Sequence, residues 1–127
     1  MNNVDDILAR VSFKDAGADG TGLLPAIIQE QSSKDVLMLG YMDAEALRRT
    51  LTEGRVTFWS RSRSEYWRKG DTSGHIQLVK GAALDCDGDT LLVTVEQHGP
   101  ACHTGAHACF DVDPLDPTIG FSEEPRS

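Results

Sequence analysis

The chain has 127 residues, 39% of them hydrophobic and 25% charged, which is enough for one ordinary core and too little for a second catalytic domain. A formal net charge of -8 disfavours nucleic-acid or anionic-membrane partners, because those interfaces need a basic face. Met1 to Asp6 lack the basic and apolar regions of a secretory leader, and no run approaches the ~20 apolar residues of a membrane span, so a soluble, cytoplasmic, single-domain protein is expected.

In chain order, Val4, Ile7, Leu8 and Val11 keep helical spacing and predict a short amphipathic helix that serves packing. Leu23 to Gln29 and Val36 to Tyr41 are apolar runs of strand length around the polar turn Glu30 to Asp35. Asp43 predicts the cap of a helix through Glu53, with Ala46, Leu47 and Leu51 on one face and Gly54 as its stop. Val56 to Ser60 reads as a strand, and the polar, basic stretch Arg61 to Gly74 reads as a loop. Ile76 to Cys86 and Thr90 to Gln97 alternate as two strands, with Asp87-Gly88 as a hairpin signal between them. Residues 1–110 are expected to form the domain, and residues 111–127, broken by Pro114, Pro117, Gly120 and Pro125, an irregular acidic tail.

Charge is uneven along the chain. Arg55, Arg61, Arg63, Arg68 and Lys69 place five of the 12 basic residues in a segment whose one acid is Glu65. A basic island in an acidic protein suits a small polyanionic ligand, and equally a solvated loop.

All three cysteines fall between Asp85-Cys86-Asp87-Gly88-Asp89 and Cys102-His103-Thr104-Gly105-Ala106-His107-Ala108-Cys109. An odd thiol count in such a chain argues against a disulfide framework. Three thiolates can hold zinc and leave its fourth tetrahedral position open, the arrangement of a catalytic site. On extended chain Asp85, Asp87 and Asp89 share a face opposite Cys86, so the carboxylates suit a second, harder ion such as magnesium; the competing reading of Asp87 is turn chemistry alone. An EF-hand is excluded because its sixth position is Thr90 and a strand follows. His103, beside a candidate ligand, is placed to move a proton, while His107 reads either as assisting it or as an exposed surface histidine. His75 and His98 read more readily as ordinary surface histidines.

On these residues the chain resembles the phosphoribosyl-AMP cyclohydrolase family of histidine biosynthesis. The resemblance rests on Leu37-Met38-Leu39-Gly40-Tyr41-Met42, Phe58-Trp59-Ser60-Arg61-Ser62-Arg63, Trp67-Arg68-Lys69-Gly70-Asp71-Thr72-Ser73-Gly74 and the two metal motifs with Cys109-Phe110. Asp71 stands where the family more often has glutamate. The resemblance implies zinc on Cys86, Cys102 and Cys109, magnesium on Asp85, Asp87 and Asp89, and a homodimer with one zinc per subunit in sites shared between chains. It also implies an α+β, β-rich fold, mainly antiparallel and barrel-like, with a capping helix.

The implied substrate is a small phosphoribosyl nucleotide, N1-(5-phosphoribosyl)-AMP, whose adenine ring opens at the C6–N1 bond by attack of zinc-activated water. His103 would act as general base, with Arg61, Arg63, Lys69, Thr72 and Ser73 on the phosphates. The preceding pyrophosphohydrolase step is expected in another protein. A zinc nucleobase deaminase would need His-x-Glu and Pro-Cys-x-x-Cys, which Pro100-Ala101-Cys102-His103 does not match. A closed, non-catalytic zinc module is the remaining alternative, with no need for the basic island.

Overall fold

Apolar residues at every second position make the central strand, because alternate side chains of a strand share one face. The computed structural model of the chain describes residues 3–15 and 22–117, and strand β2 (Gly22–Glu30) runs through its middle with Leu24, Ala26 and Ile28 buried. Antiparallel to it lies β3 (Val36–Met42), and parallel to it β7 (Leu91–Gln97), which buries Leu91, Val93 and Val95. The short β1 (Lys14–Asp15) pairs with the start of β2, and β6 (Gln77–Leu84) pairs antiparallel with β7. These five strands form one sheet. A separate two-stranded hairpin joins β4 (Thr57–Ser60) to β5 (Glu65–Arg68).

Two expectations are corrected. Among the described residues the outer strands β3 and β6 do not pair, so the sheet is not closed into a barrel. Helix α2 and the hairpin pack over the core that a closing strand pair would enclose. The second correction is β5, which lies inside the stretch read as a loop. Its Tyr66 and Trp67 meet Trp59 and Phe58 across the hairpin at centroid separations of 4.9 and 5.4 Å, and cross-strand aromatic pairing offsets the charged flanks.

The helices follow their local signals. In α1 (Val4–Arg10) Asn3 caps by accepting the Asp6 amide, and Leu8 packs on the core. In α2 (Ala44–Glu53) Asp43 accepts the Ala46 amide at 2.8 Å, and Gly54 follows the last turn. Thr50 ties α2 to β4, accepting the Thr57 amide at 3.0 Å while donating to the Ala46 carbonyl at 2.9 Å. Among the described residues no helix is long and apolar enough to cross a membrane. The last ten positions of the expected tail, 118–127, lie outside the described residues.

Asp43 also receives the Tyr66 hydroxyl at 2.7 Å, and burial, then that bond, pushes the phenol up to about 12. One carboxylate thus joins helix start to hairpin. Asp43→Ala removes the cap and orphans the phenol, and should cost about 2 kcal/mol in denaturant titration. A loss below ~0.5 kcal/mol would show that water replaces both bonds.

Candidate active site

Strand alternation gives the β4–β5 hairpin two different faces. Thr57 and Trp59 lie on one side with Tyr66 and Arg68, toward α2, while Phe58 and Trp67 lie on the other. Lys69, two residues beyond Trp67, points the same way as Trp67. A cavity of ≈ 280 Å³ opens there, lined by Trp67, Lys69, Thr72, Ser73, His75, Cys102 and His103 among others. It brings the segment 67–75 against the loop 102–105, which are distant in sequence.

Each wall is held by its own backbone. The Gly74 amide donates to the Gly70 carbonyl at 2.8 Å, and Gly70, at φ 91°, is pressed so close to Ile76 that an added Cβ would lie 2.6 Å from it. Only glycine takes that position without displacing the turn. Opposite, the Cys102 loop closes on itself through Ala101 N–H to His107 O at 3.0 Å and Cys102 N–H to Ala106 O at 3.2 Å.

Lys69 is 7% exposed, an unusual place for an ammonium. Its Nζ donates to the Ala101 carbonyl at 2.6 Å and sits 5.4 Å from the Trp67 ring centroid. Burial pushes its pKa down, and the charges of Cys109 and Cys102 work against that. Thr104 donates its hydroxyl to Cys102 Sγ at 3.1 Å and draws that thiol below its ordinary value, with further help from Cys109 and Lys69. Burial, followed by the bond to Cys102, raises the Cys109 thiol. The pair therefore combines one thiol eased toward its thiolate, one held back by burial, and a buried amine beside them. This donor chemistry fits a soft divalent ion.

Cys86 is elsewhere. It is exposed, in the turn between β6 and β7, whereas Cys102 follows the far end of β7. Seven residues of strand hold those ends about 20 Å apart. The three thiols therefore do not meet within one chain. Cys86 lines a second, larger cavity of ≈ 620 Å³ with Ile7, Leu51, Asp85 and Asp87.

Asp85, Asp87 and Asp89 do converge, their ligand oxygens lying within 4.8 Å of one another. The reason is a turn, not an extended face as the sequence suggested: Asp85 Oδ1 accepts the Asp89 and Thr90 amides at 3.0 and 3.2 Å. Burial works to raise the Asp85 carboxyl, but those bonds win and hold it low, while the hydrogen bond with Asp87 raises Asp89. Carboxylates at such distances repel until a cation or proton joins them.

The basic island disperses on folding. Arg68 Nε donates to both oxygens of Asp71 at 2.8 and 3.0 Å, and Arg55 Nη2 to one of them at 3.1 Å. Arg61 lies 4.1 Å from the Tyr41 ring centroid, and Arg63 makes a 3.5 Å exposed contact with Glu65. Of the candidate phosphate ligands, Lys69, Thr72 and Ser73 line the cavity, and Arg61 and Arg63 lie outside it on the hairpin turn.

The four histidines divide evenly. His98 Nε2 is 2.7 Å from Glu96, and His107 Nε2 is 3.4 Å from Glu30 and 3.3 Å from Asp35. The latter contacts tether the Cys102 loop to the β2–β3 turn. His103 and His75 line the cavity. Trp67 and His75 were the residues undervalued in sequence; strand alternation through Trp67 and Lys69 was the signal for the first, and none marked the second.

A family model described as phosphoribosyl-AMP cyclohydrolase matches residues 38–111, which span both walls of the cavity and the carboxylate turn. The chain belongs to the phosphoribosyl-AMP cyclohydrolase family. It is 65% identical over 127 residues to the phosphoribosyl-AMP cyclohydrolase of Leifsonia xyli subsp. xyli, covering 100% of this chain and 96% of that one. Identity to the relative of that name from Clavibacter sepedonicus is 70% over 118 residues, covering 93% and 82% of the two chains. With the relative from Renibacterium salmoninarum it is 72% over 93 residues, covering 73% and 70%. The family's members are hydrolases.

Proposed function

We propose that the chain is a phosphoribosyl-AMP cyclohydrolase of histidine biosynthesis, and that it opens the adenine ring of N1-(5-phosphoribosyl)-AMP at the C6–N1 bond in a zinc-dependent reaction. The observation that carries this reading is the single cavity where Lys69, Thr72 and Ser73 face His103 and Cys102.

Cys102 and Cys109 of one chain and Cys86 of a second copy are the residues that would hold zinc, because a two-fold dimer can bring together thiols that β7 keeps apart within each chain. Zinc so held supplies the Lewis acidity that makes water nucleophilic near neutral pH. The chain's own groups do the rest. Lys69 sets its amine beside the two thiols and fixes the carbonyl preceding Cys102. Ser73 accepts the His75 amide at 3.1 Å, which leaves its hydroxyl hydrogen for a phosphate oxygen, as does that of Thr72. Arg61 and Arg63 offer exposed guanidiniums for the second phosphate, since their present contacts are of the surface kind worth under ~1 kcal/mol. His103 takes a proton from the attacking water. Asp85, Asp87 and Asp89 are suited to magnesium, through hard oxygens and a triple negative charge.

The direct test is incubation with phosphoribosyl-AMP, following the ultraviolet change as the purine opens. Turnover is expected with zinc, lost with chelator, and recovered with added zinc but not with magnesium alone. Zinc-loaded protein that leaves the substrate intact would overturn the assignment.

A further inference from the structure

We infer that His75 is the second proton-transfer residue of the ring opening, giving a proton to N1 as the C6–N1 bond breaks; the inference rests on the activity proposed above. The chemistry requires proton movement at two atoms. Starting from the amidinium cation, the water oxygen bonds C6 and loses both its protons on the way to the carboxamide. The C6–N1 bond breaks toward nitrogen, and N1 takes up one proton. One proton is therefore released to solvent. A base must serve the oxygen and an acid the nitrogen. Two imidazoles in opposite protonation states perform both without an intervening exchange.

The structure supplies two and withdraws two. His98 is held by Glu96, and His107 by Glu30 and Asp35. His103 and His75 line the same cavity from different segments, His103 next to Cys102 and His75 next to the Thr72-Ser73-Gly74 turn. His103 is thus the histidine adjacent to a thiol, where a bound zinc would activate water. His75 is nearer the hydroxyls assigned to phosphate, and N1 is the ring atom that carries the second phosphoribosyl group.

His75 is also held in place as a working side chain must be. Its amide donates to Ser73 Oγ, its carbonyl accepts from Gln97 Nε2 at 3.5 Å, and the next residue's carbonyl accepts the His98 amide at 3.0 Å. The ring rests on the backbone of Gly99, at φ 76°, where an added Cβ would come 2.5 Å from Cδ2 and 3.1 Å from Nε2. Gly99 begins the segment Gly99-Pro100-Ala101 that leads into Cys102. The absent side chain at 99 makes room for this imidazole.

The test uses zinc-loaded full-length protein. His75→Gln keeps size and hydrogen bonding but cannot give up a proton. It should lower kcat by ~100-fold with KM and zinc per chain within about two-fold of wild type. Added imidazole should restore part of the turnover of His75→Ala at a rate proportional to its concentration, which a merely structural role would not produce. Gly99→Ala, which displaces the ring, should reproduce the kcat loss with His75 still present. A kcat for His75→Gln within about three-fold of wild type, a loss confined to KM, or a loss of zinc would overturn the inference. Failure of the wild-type protein to open phosphoribosyl-AMP would instead overturn the proposed function, so the two failures are distinct.

Discussion

Cys102→Ala should abolish turnover of phosphoribosyl-AMP and empty the zinc site while leaving a folded chain. The expected loss is on the order of 10⁴-fold or more, equivalent to ~5 kcal/mol or more of barrier, because water without a Lewis acid is a poor nucleophile at neutral pH. Folding should survive for three structural reasons. Alanine differs from cysteine by one sulfur atom. The loop's closure at Ala101, Cys102 and Gly105 is made by backbone groups. The core of Leu24, Ile28, Leu37, Phe58 and Val93 belongs to the sheet and hairpin. Removing the sulfur also strands Lys69, whose buried ammonium loses one of the charges facing it. A modest fall in melting temperature, about 5 °C or less, is therefore expected rather than none. Metal analysis, circular dichroism and the ring-opening assay check the three parts separately. Full activity in a metal-free preparation would end the zinc-dependent mechanism.

The second large effect is recovery from two inactive proteins. Cys86→Ala and Cys102→Ala should each be inactive alone, and unfolding and refolding them together should restore about a quarter of the sites. If zinc takes Cys86 from one copy and Cys102 and Cys109 from the other, a mixed dimer gathers both defects in one site and none in its second. Random exchange makes half of all dimers mixed, which sets the fraction. The length of β7 underlies the expectation, since it keeps Cys86 and Cys102 at opposite strand ends. If native mass spectrometry shows mixed dimers and the assay stays flat, the shared site is ruled out.

The chain's local signals were sufficient for much of the fold. Asp43 and Gly54 bound α2 because capping involves only neighbouring backbone groups. Apolar runs of strand length placed β2 and β3, and alternation placed β6 and β7, because a half-buried strand must present apolar residues with period two. Strand β5 escaped this reading: Glu65-Tyr66-Trp67-Arg68 has charged ends, and its strand character comes from pairing with Thr57–Ser60. The open sheet and the parallel β2–β7 pairing were equally invisible, being decided by which distant strands meet.

The same division runs through the site. Residue type and spacing by themselves determined which side chains can bind metals, because thiolate softness and carboxylate hardness belong to the residues. They also determined that the family's motifs are present. Only the tertiary structure decided which of these groups share a space. It put Lys69 beneath the thiols instead of in solvent, engaged Arg55 and Arg68 with Asp71, turned His107 toward Glu30 and Asp35, and brought His75 to the cavity. All but the local Arg68–Asp71 pair depend on contacts between segments far apart in sequence, and a histidine's pattern along the chain carries no record of the wall it will face.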